Sequence, residues 1–245
     1  MQITAIRAGF AALLFGAVLA AAPINGAGTF TPFGSNPDQS GSPFWDNTSF
    51  DGSGCGAGYV LTQTASIGGC ANKRNGVTSG LGLNATDLEY YSEGDLATAF
   101  TMSAGKYLFT LWGGLYGAGL NVVGYKYLND EAYQPMFSTA NTTGDTFSLD
   151  ADREFLLWIK SDNNSNLLFH SNDTDGLRAA AFYNTSNGLY YFGFEDRVRG
   201  DRDYNDTILS ANYQSEVPEP ATFALMGFGL IGFALAGRRG NRSNR

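Results

Sequence analysis

The chain has 245 residues, among them 32 glycines, 18 phenylalanines and 13 tyrosines, and its formal net charge at neutral pH is −8. This acidic balance disfavours nucleic-acid binding, which depends on lysines and arginines that neutralise phosphates. The abundance of glycine and aromatic residues, without long charged helical stretches, favours an all-β protein rich in turns.

The first 22 residues have the pattern of a signal peptide. Arg7 provides a positive charge, an apolar run begins at Ala8, and the run ends in small residues at Ala20 to Ala22. Charge, apolar length and small-residue ending are the three parts of an export signal. We predict an N-terminal signal helix over 1–22, recognised by the Sec export machinery and removed by signal peptidase. A buried N-terminal helix is the alternative.

Residues 23–43 are rich in Gly, Pro, Asn and Ser, which predicts an irregular N-terminal arm. The chain has two cysteines, Cys55 and Cys70. In an exported protein, a disulfide that closes this short loop is the expected state, and it would stabilise the fold by roughly 3 kcal/mol. A metal site built on the cysteines is disfavoured because the single histidine, His170, lies far along the chain. The nearby segment GYVLTQT, from Gly58, is a short strand candidate.

Residues 44–213 contain a series of short apolar segments separated by turns. LEYYSEG, EFLLWIKSD, NLLFHSN and NDTILSANY are strand candidates, and NTSNG predicts a hairpin turn between LRAAAFY and GLYYFGFED. GKYLFTLWGG, from Gly105, is apolar on both faces, which favours a central strand, and NVVGYKYL is its expected partner. The pattern predicts an antiparallel β-sandwich of jelly-roll type.

The chain closes with a polar linker at 214–222, an apolar segment at 223–237 and an arginine-rich tail at 238–245. We predict a C-terminal transmembrane helix over 223–237, because seventeen helical residues from 221 to 237 would span about 25 Å, the short limit for a bilayer. By the positive-inside rule, the tail stays in the cytoplasm and the body lies outside. The arginines that would stop transfer are Arg238, Arg239, Arg242 and Arg245.

The order of these three parts resembles the PEP-CTERM protein-sorting signal of Gram-negative bacteria. Its motif corresponds to Val217, Pro218, Glu219 and Pro220, followed by the apolar helix and the arginine cluster. The resemblance implies that an exosortase recognises the signal, that the anchor is removed near the motif, and that the protein is transferred from a transient inner-membrane anchor to the cell surface or medium. It also implies a host that makes exopolysaccharide and biofilm, so exopolysaccharide is a candidate partner.

An acidic constellation lies in GFEDRVRGDRDYNDTI, from Gly193 to Ile208. Carboxylates and amides at alternating positions offer the hard oxygen ligands that calcium prefers. The EF-hand pattern fails, because Asp206 stands where the loop glycine belongs and Asn212 where the bidentate glutamate belongs. We therefore predict a calcium site of another kind. Its candidate ligands are Glu195, Asp196, Asp201, Asp203, Asn205 and Asp206.

The same stretch is similar to the F-E-D…D-R-D-Y-N-D end of an exported bacterial domain of unknown function, and this resemblance implies no established activity. Two alternatives to calcium remain. The interleaved Arg197, Arg199 and Arg202 would pair with the acids in a purely structural arrangement. Paired carboxylates would serve glycoside hydrolysis, although neighbouring arginines lower carboxylate pKa values, which does not suit a general acid.

These features predict an exported, non-enzymatic protein with a structural or adhesive role at the cell surface or in the extracellular matrix. The alternative is a carbohydrate-binding module, and a glycoside hydrolase comes third. Exposed, coplanar Trp or Tyr rings would favour sugar binding. We expect most of the aromatic rings to lie in the core instead, including one ring of each doublet at 90–91 and 190–191.

Overall fold

The computed structural model describes residues 23–33, 56–62, 81–93, 96–112, 121–161, 167–174, 178–196 and 204–214. The signal peptide, both cysteines, the sorting motif, the apolar segment and the arginine tail fall outside these ranges. None of the helices within them is long and apolar enough to cross a bilayer.

The described residues form fourteen strands, one α-helix and a 3-10 turn. In chain order the elements are β1 (Ile24–Gly26), β2 (Thr29–Pro32), α1 (Ala57–Thr62), the 3-10 turn (Ala85–Asp87), β3 (Leu88–Glu93), β4 (Leu96–Ala97), β5 (Phe100–Met102), β6 (Gly105–Leu111), β7 (Asn121–Tyr127), β8 (Gln134–Phe137), β9 (Thr146–Ala151), β10 (Phe155–Ser161), β11 (Leu167–His170), β12 (Ala179–Asn184), β13 (Tyr190–Phe194) and β14 (Thr207–Gln214).

The strands make two sheets, which we call the small sheet and the large sheet. The small sheet has the order β1-β5-β10-β7-β8, with β11 also on β10, and the large sheet has the order β2-β3-β12-β13-β14-β6-β9, with β4 on β3. All the strand pairs are antiparallel. The all-β prediction is confirmed at this level, and the jelly-roll connectivity stays a prediction.

The larger hydrophobic cluster draws its side chains from both sheets. The large sheet contributes Phe109 and Phe192, and the small sheet contributes Phe155 and Leu157. Strand alternation explains this, since every second side chain of a strand points to the same face. In β6, Tyr107, Phe109 and Leu111 are buried.

The outer face of β6 differs from the prediction. Leu108 is 43% exposed there, so the strand is buried on one face only. Its partners are β14 and β9. The expected pairing of β6 with β7 is wrong, because β7 pairs with β10 and β8 in the small sheet. β6 and β7, which are consecutive in the chain, therefore belong to different sheets, as is common in sandwiches.

β10 with β11 and β12 with β13 each form a hairpin, and the second of these is the one predicted from the sequence. β10 pairs with β11, placing Trp158 opposite His170, and β12 pairs with β13, placing Tyr183 opposite Tyr190. In the second hairpin, Asn184 Oδ1 accepts hydrogen bonds from the backbone amides of Ser186 and Asn187 at 2.9 and 3.0 Å. This side chain stabilises the turn that the sequence NTSNG indicates.

Two segments differ from the sequence-based expectation. Residues 24–32, expected in an irregular arm, form the edge strands β1 and β2. The GYVLTQT segment, expected as a strand, begins with α1 instead. The helix packs Val60 and Leu61 with Phe182 and Ile208 in the second hydrophobic cluster. A segment that lies over a sheet face, and not along its edge, satisfies its amides internally by forming a helix.

Candidate metal centre

The register between β13 and β14 brings the two halves of the acidic stretch together. Phe194 is opposite Thr207, so the residues after β13 face the residues before β14. The ladder continues past the strand ends, because the amide of Asp206 donates to the carbonyl of Phe194 at 3.1 Å. Asp196 and Asp206, which are ten positions apart in the sequence, are thereby brought into contact.

Three carboxylates converge at this point. Oxygens of Glu195, Asp196 and Asp206 all lie within 4.8 Å of one another. Glu195 and Asp196 are each 1% exposed, whereas Asp206 keeps some exposure to solvent. Burying several like charges is costly unless a cation or protons compensate them.

The electrostatics of Asp206 reflect this crowding. Burial raises the pKa of Asp206 well above its ordinary value, and the neighbouring carboxylates of Glu195 and Asp196 raise it further. The backbone amide of Asp196 donates to Asp206 Oδ2 at 2.7 Å and acts in the opposite direction. A bound cation would stabilise the ionised form in the same way, with a larger charge.

A residue from the small sheet also contacts the acidic cluster. Asn121, the first residue of β7, is fully buried, and its Nδ2 donates to Asp196 Oδ2 at 3.0 Å. Its other amide atom, Oδ1, is buried without a hydrogen-bond partner among the described residues. Sequence reasoning missed Asn121, because it lies 75 positions from Asp196 and no local motif marks it.

Close backbone packing positions the acids. Tyr204 is 1% exposed and has a left-handed φ of 53°. Its carbonyl oxygen lies so near to Gly193 that a Cβ there would overlap it, and the same Cβ would be 3.1 Å from Ala57 Cβ. Because Gly193 has no side chain, the backbone at Tyr204 can pack directly against the end of β13. This close approach brings Asp206 next to Glu195.

The structure thus brings together three of the six predicted ligands: Glu195, Asp196 and Asp206. Asn205 is half-buried and adjacent to Asp206 in the chain. Asp201 and Asp203 lie outside the described residues, as do the three arginines that the structural alternative invokes. Clustered buried oxygens without nitrogen or sulfur ligands suit a hard cation such as calcium better than zinc.

Comparison with known proteins identifies the end of the chain. Residues 216–239 match the PEP-CTERM protein-sorting motif. The chain therefore carries an exosortase sorting signal, which implies export and membrane-anchored sorting toward the cell surface, with exosortase as the sorting partner. No curated protein sequence matches the chain.

Proposed function

We propose that the protein is a calcium-binding structural or adhesive component of the cell surface or extracellular matrix, delivered there through its PEP-CTERM signal. The observation that carries the proposal is the convergence of three carboxylates, those of Glu195, Asp196 and Asp206, of which the first two are almost completely buried. The cation compensates the three carboxylates and holds the ends of β13 and β14 together. In this role calcium is a structural cofactor of the folded body.

Calcium fits the donor set and the destination. It accepts several carboxylate and amide oxygens in flexible geometry, whereas magnesium demands a strict octahedron and keeps its waters. Extracellular modules bind calcium with dissociation constants of about 10⁻⁴ to 10⁻³ M. The acidic body, with 22 Asp and Glu residues against 10 Lys and Arg between residues 23 and 216, attracts cations outside the cell.

Burial supports a structural role over hydrolysis. A glycosidase needs two carboxylates that flank a bound sugar ring, with one of them accessible to the leaving group. Glu195 and Asp196 are each 1% exposed, so neither presents an accessible carboxylate to a leaving group.

The burial of the aromatic rings favours a structural role over carbohydrate binding. Trp158, Tyr91 and Tyr191 are buried, and Trp112 is half-buried. Among the described aromatic residues, Tyr133 is the most exposed large ring, at 39%. A flat row of rings would favour carbohydrate binding, so that function ranks below the structural one. Exopolysaccharide remains a candidate partner of the surface-displayed protein.

Calcium titration of the full chain, purified in mild detergent with its apolar segment, tests the proposal. Isothermal calorimetry should detect one site, and the melting temperature should rise with calcium and fall back with EDTA. At 100 times the dissociation constant, the stabilisation is about 2.7 kcal/mol.

Glu195→Gln should weaken calcium binding by about tenfold or more. Asp150→Asn is the matched control, since Asp150 is a strand carboxylate with a side chain 71% exposed, and it should bind calcium like the parent chain. No heat of binding and no change in melting temperature at 10 mM calcium, on the order of ten times the weakest dissociation constant of such modules, would contradict the proposal.

A further inference from the structure

Asn121 joins the two sheets at the acidic end of the sandwich. It begins β7 of the small sheet, where it is opposite Ser161 of β10. Its side-chain nitrogen donates to Asp196, which lies two residues beyond the end of β13 in the large sheet. The hydrogen bond is therefore a contact between sheets, made by a fully buried amide.

The amide is only half satisfied. Its Nδ2 is bonded to Asp196, while Oδ1 is buried and has no hydrogen-bond partner among the described residues. An unsatisfied buried acceptor costs about 1–3 kcal/mol. The reverse orientation of the amide would place Oδ1 against a carboxylate oxygen and would not remove the problem.

A cation resolves the unsatisfied acceptor and the carboxylate cluster together. Side-chain amide oxygens are common calcium ligands. An asparagine can donate through Nδ2 to a ligating carboxylate while Oδ1 contacts the metal, because both atoms belong to one planar group. The amide of Asn121 already contacts Asp196, one of the three clustered acids.

We propose that Asn121 is a ligand of the bound calcium, and that the ion fastens the small sheet to the large sheet at this end of the sandwich. The inference rests on the proposed calcium site and adds a ligand and a consequence to it. Three ligands come from the β13–β14 junction of the large sheet, and the fourth comes from the first residue of β7. Calcium binding then controls how firmly the sheets are joined.

This arrangement makes the joining of the two sheets depend on the calcium concentration. A site with a dissociation constant of about 10⁻⁴ to 10⁻³ M is mostly filled at several millimolar calcium and empty at the levels to which cytosolic sensors respond, about 10⁻⁷ to 10⁻⁵ M. The acidic end of the sandwich would be loosely joined without calcium and would be fastened when calcium binds. Metal binding free energy becomes folding free energy in such a site.

Two substitutions of Asn121 test the proposal in the full chain, with calcium alone as the probe. Asn121→Leu removes the ligating oxygen at similar volume and should weaken calcium binding by about tenfold or more. Asn121→Asp keeps an oxygen at the same place and adds a charge, so it should raise calcium affinity by roughly tenfold, while lowering stability in EDTA through like-charge repulsion. Both affinity changes are required.

Ser92→Ala is the matched control, because Ser92 Oγ is also buried without a hydrogen-bond partner among the described residues, but lies in β3, which β12 separates from β13. It should leave calcium affinity unchanged. Hydrogen exchange gives a second measurement: calcium should slow exchange of the Val122 and Val123 amides in the parent chain and in Ser92→Ala, but not in Asn121→Leu.

The outcomes separate this inference from the proposed function. If the parent chain binds calcium and Asn121→Leu binds it equally well, Asn121 is not a ligand, although the calcium site stands. The same conclusion follows if Asn121→Asp binds no tighter than the parent chain, since a buried water would then account for Oδ1. If the parent chain binds no calcium, the proposed function fails and this inference fails with it.

Discussion

The backbone amide of Asp196 donates a hydrogen bond to Oδ2 of Asp206 at 2.7 Å. This bond joins the residue two positions after β13 to the residue just before β14. Because Asp196 also accepts a hydrogen bond from Asn121, neutral donors hold two of the three clustered carboxylates. The geometry of the site therefore has support that does not depend on a cation.

The first prediction concerns the charge of Asp206. Asp206→Asn keeps an acceptor for the Asp196 amide and removes one of three crowded carboxylates. Burial and the two neighbouring acids raise the pKa of Asp206, so its ionised form is disfavoured without a cation. The variant should be at least as stable as the parent chain in EDTA and should lose most of the stabilisation by calcium, as measured by urea unfolding in both conditions.

Asp206→Ala is the control for this prediction, because it removes both the charge and the acceptor. It should be less stable than Asp206→Asn in EDTA by about 1–3 kcal/mol, the cost of an unsatisfied buried amide. An Asp206→Asn protein that responds to calcium as strongly as the parent chain would show that Asp206 is not a ligand.

The second prediction concerns the close packing at Gly193. A Cβ there would overlap the carbonyl oxygen of Tyr204, whereas a Cβ at Gly124 would overlap that of Gln134 in the small sheet. Both Gly193→Ala and Gly124→Ala should lower the free energy of unfolding by roughly 1–3 kcal/mol. Since only Gly193 lies behind the metal centre, Gly193→Ala alone should weaken calcium binding. Equal calcium affinities in the two variants, measured by calorimetry, would refute this assignment.

The third prediction concerns alkaline pH. Burial raises the pKa of Tyr190 to about 12, and the neighbouring Tyr183 ring adds to the shift. Because the folded pKa lies above the unfolded value of about 10, the stability from this tyrosine is fully present below pH 10. It is lost as the pH rises toward 12, a change on the order of 2 kcal/mol. Unfolding at fixed pH values between 8 and 12 measures it.

Tyr190→Phe is the control for the alkaline loss, because it keeps the ring and removes the ionisable hydroxyl. Its stability should fall less steeply between pH 10 and 12. Tyr107, whose pKa burial also raises strongly, remains in this variant and preserves part of the effect. Identical pH profiles for the two proteins would mean that Tyr190 does not contribute.

The fourth prediction concerns sorting. Deleting residues 217–245 removes nearly all of the matched sorting motif at 216–239, so the body should accumulate in the periplasm and not reach the cell surface. Cell fractionation and surface labelling measure the distribution. Asn244→Ala is the control within the arginine-rich tail, because it lies beyond the matched residues, and its sorting should be unchanged. Truncated protein at the surface would exclude the sorting signal as the cause of display.

The end of the chain and the class of the fold could be predicted from the sequence. A sorting signal is a linear pattern of motif, apolar length and charge, and the residues at 216–239 carry that pattern without any help from the fold. The all-β class follows from strand alternation and turn residues, which are local properties. The β12–β13 hairpin could be predicted for the same reason, because its two strands are neighbours in sequence and NTSNG marks the turn between them.

Only the tertiary structure decided the arrangement of the candidate site. The sequence placed six acidic or amide side chains within twelve positions, but the register of β13 against β14 determines that Glu195, Asp196 and Asp206 meet. Asn121 contacts the same cluster from the other sheet. It does so because β7 pairs with β10 in the small sheet and not, as expected, with β6. Contacts between distant segments depend on how whole sheets pack, and no short stretch of sequence encodes that packing.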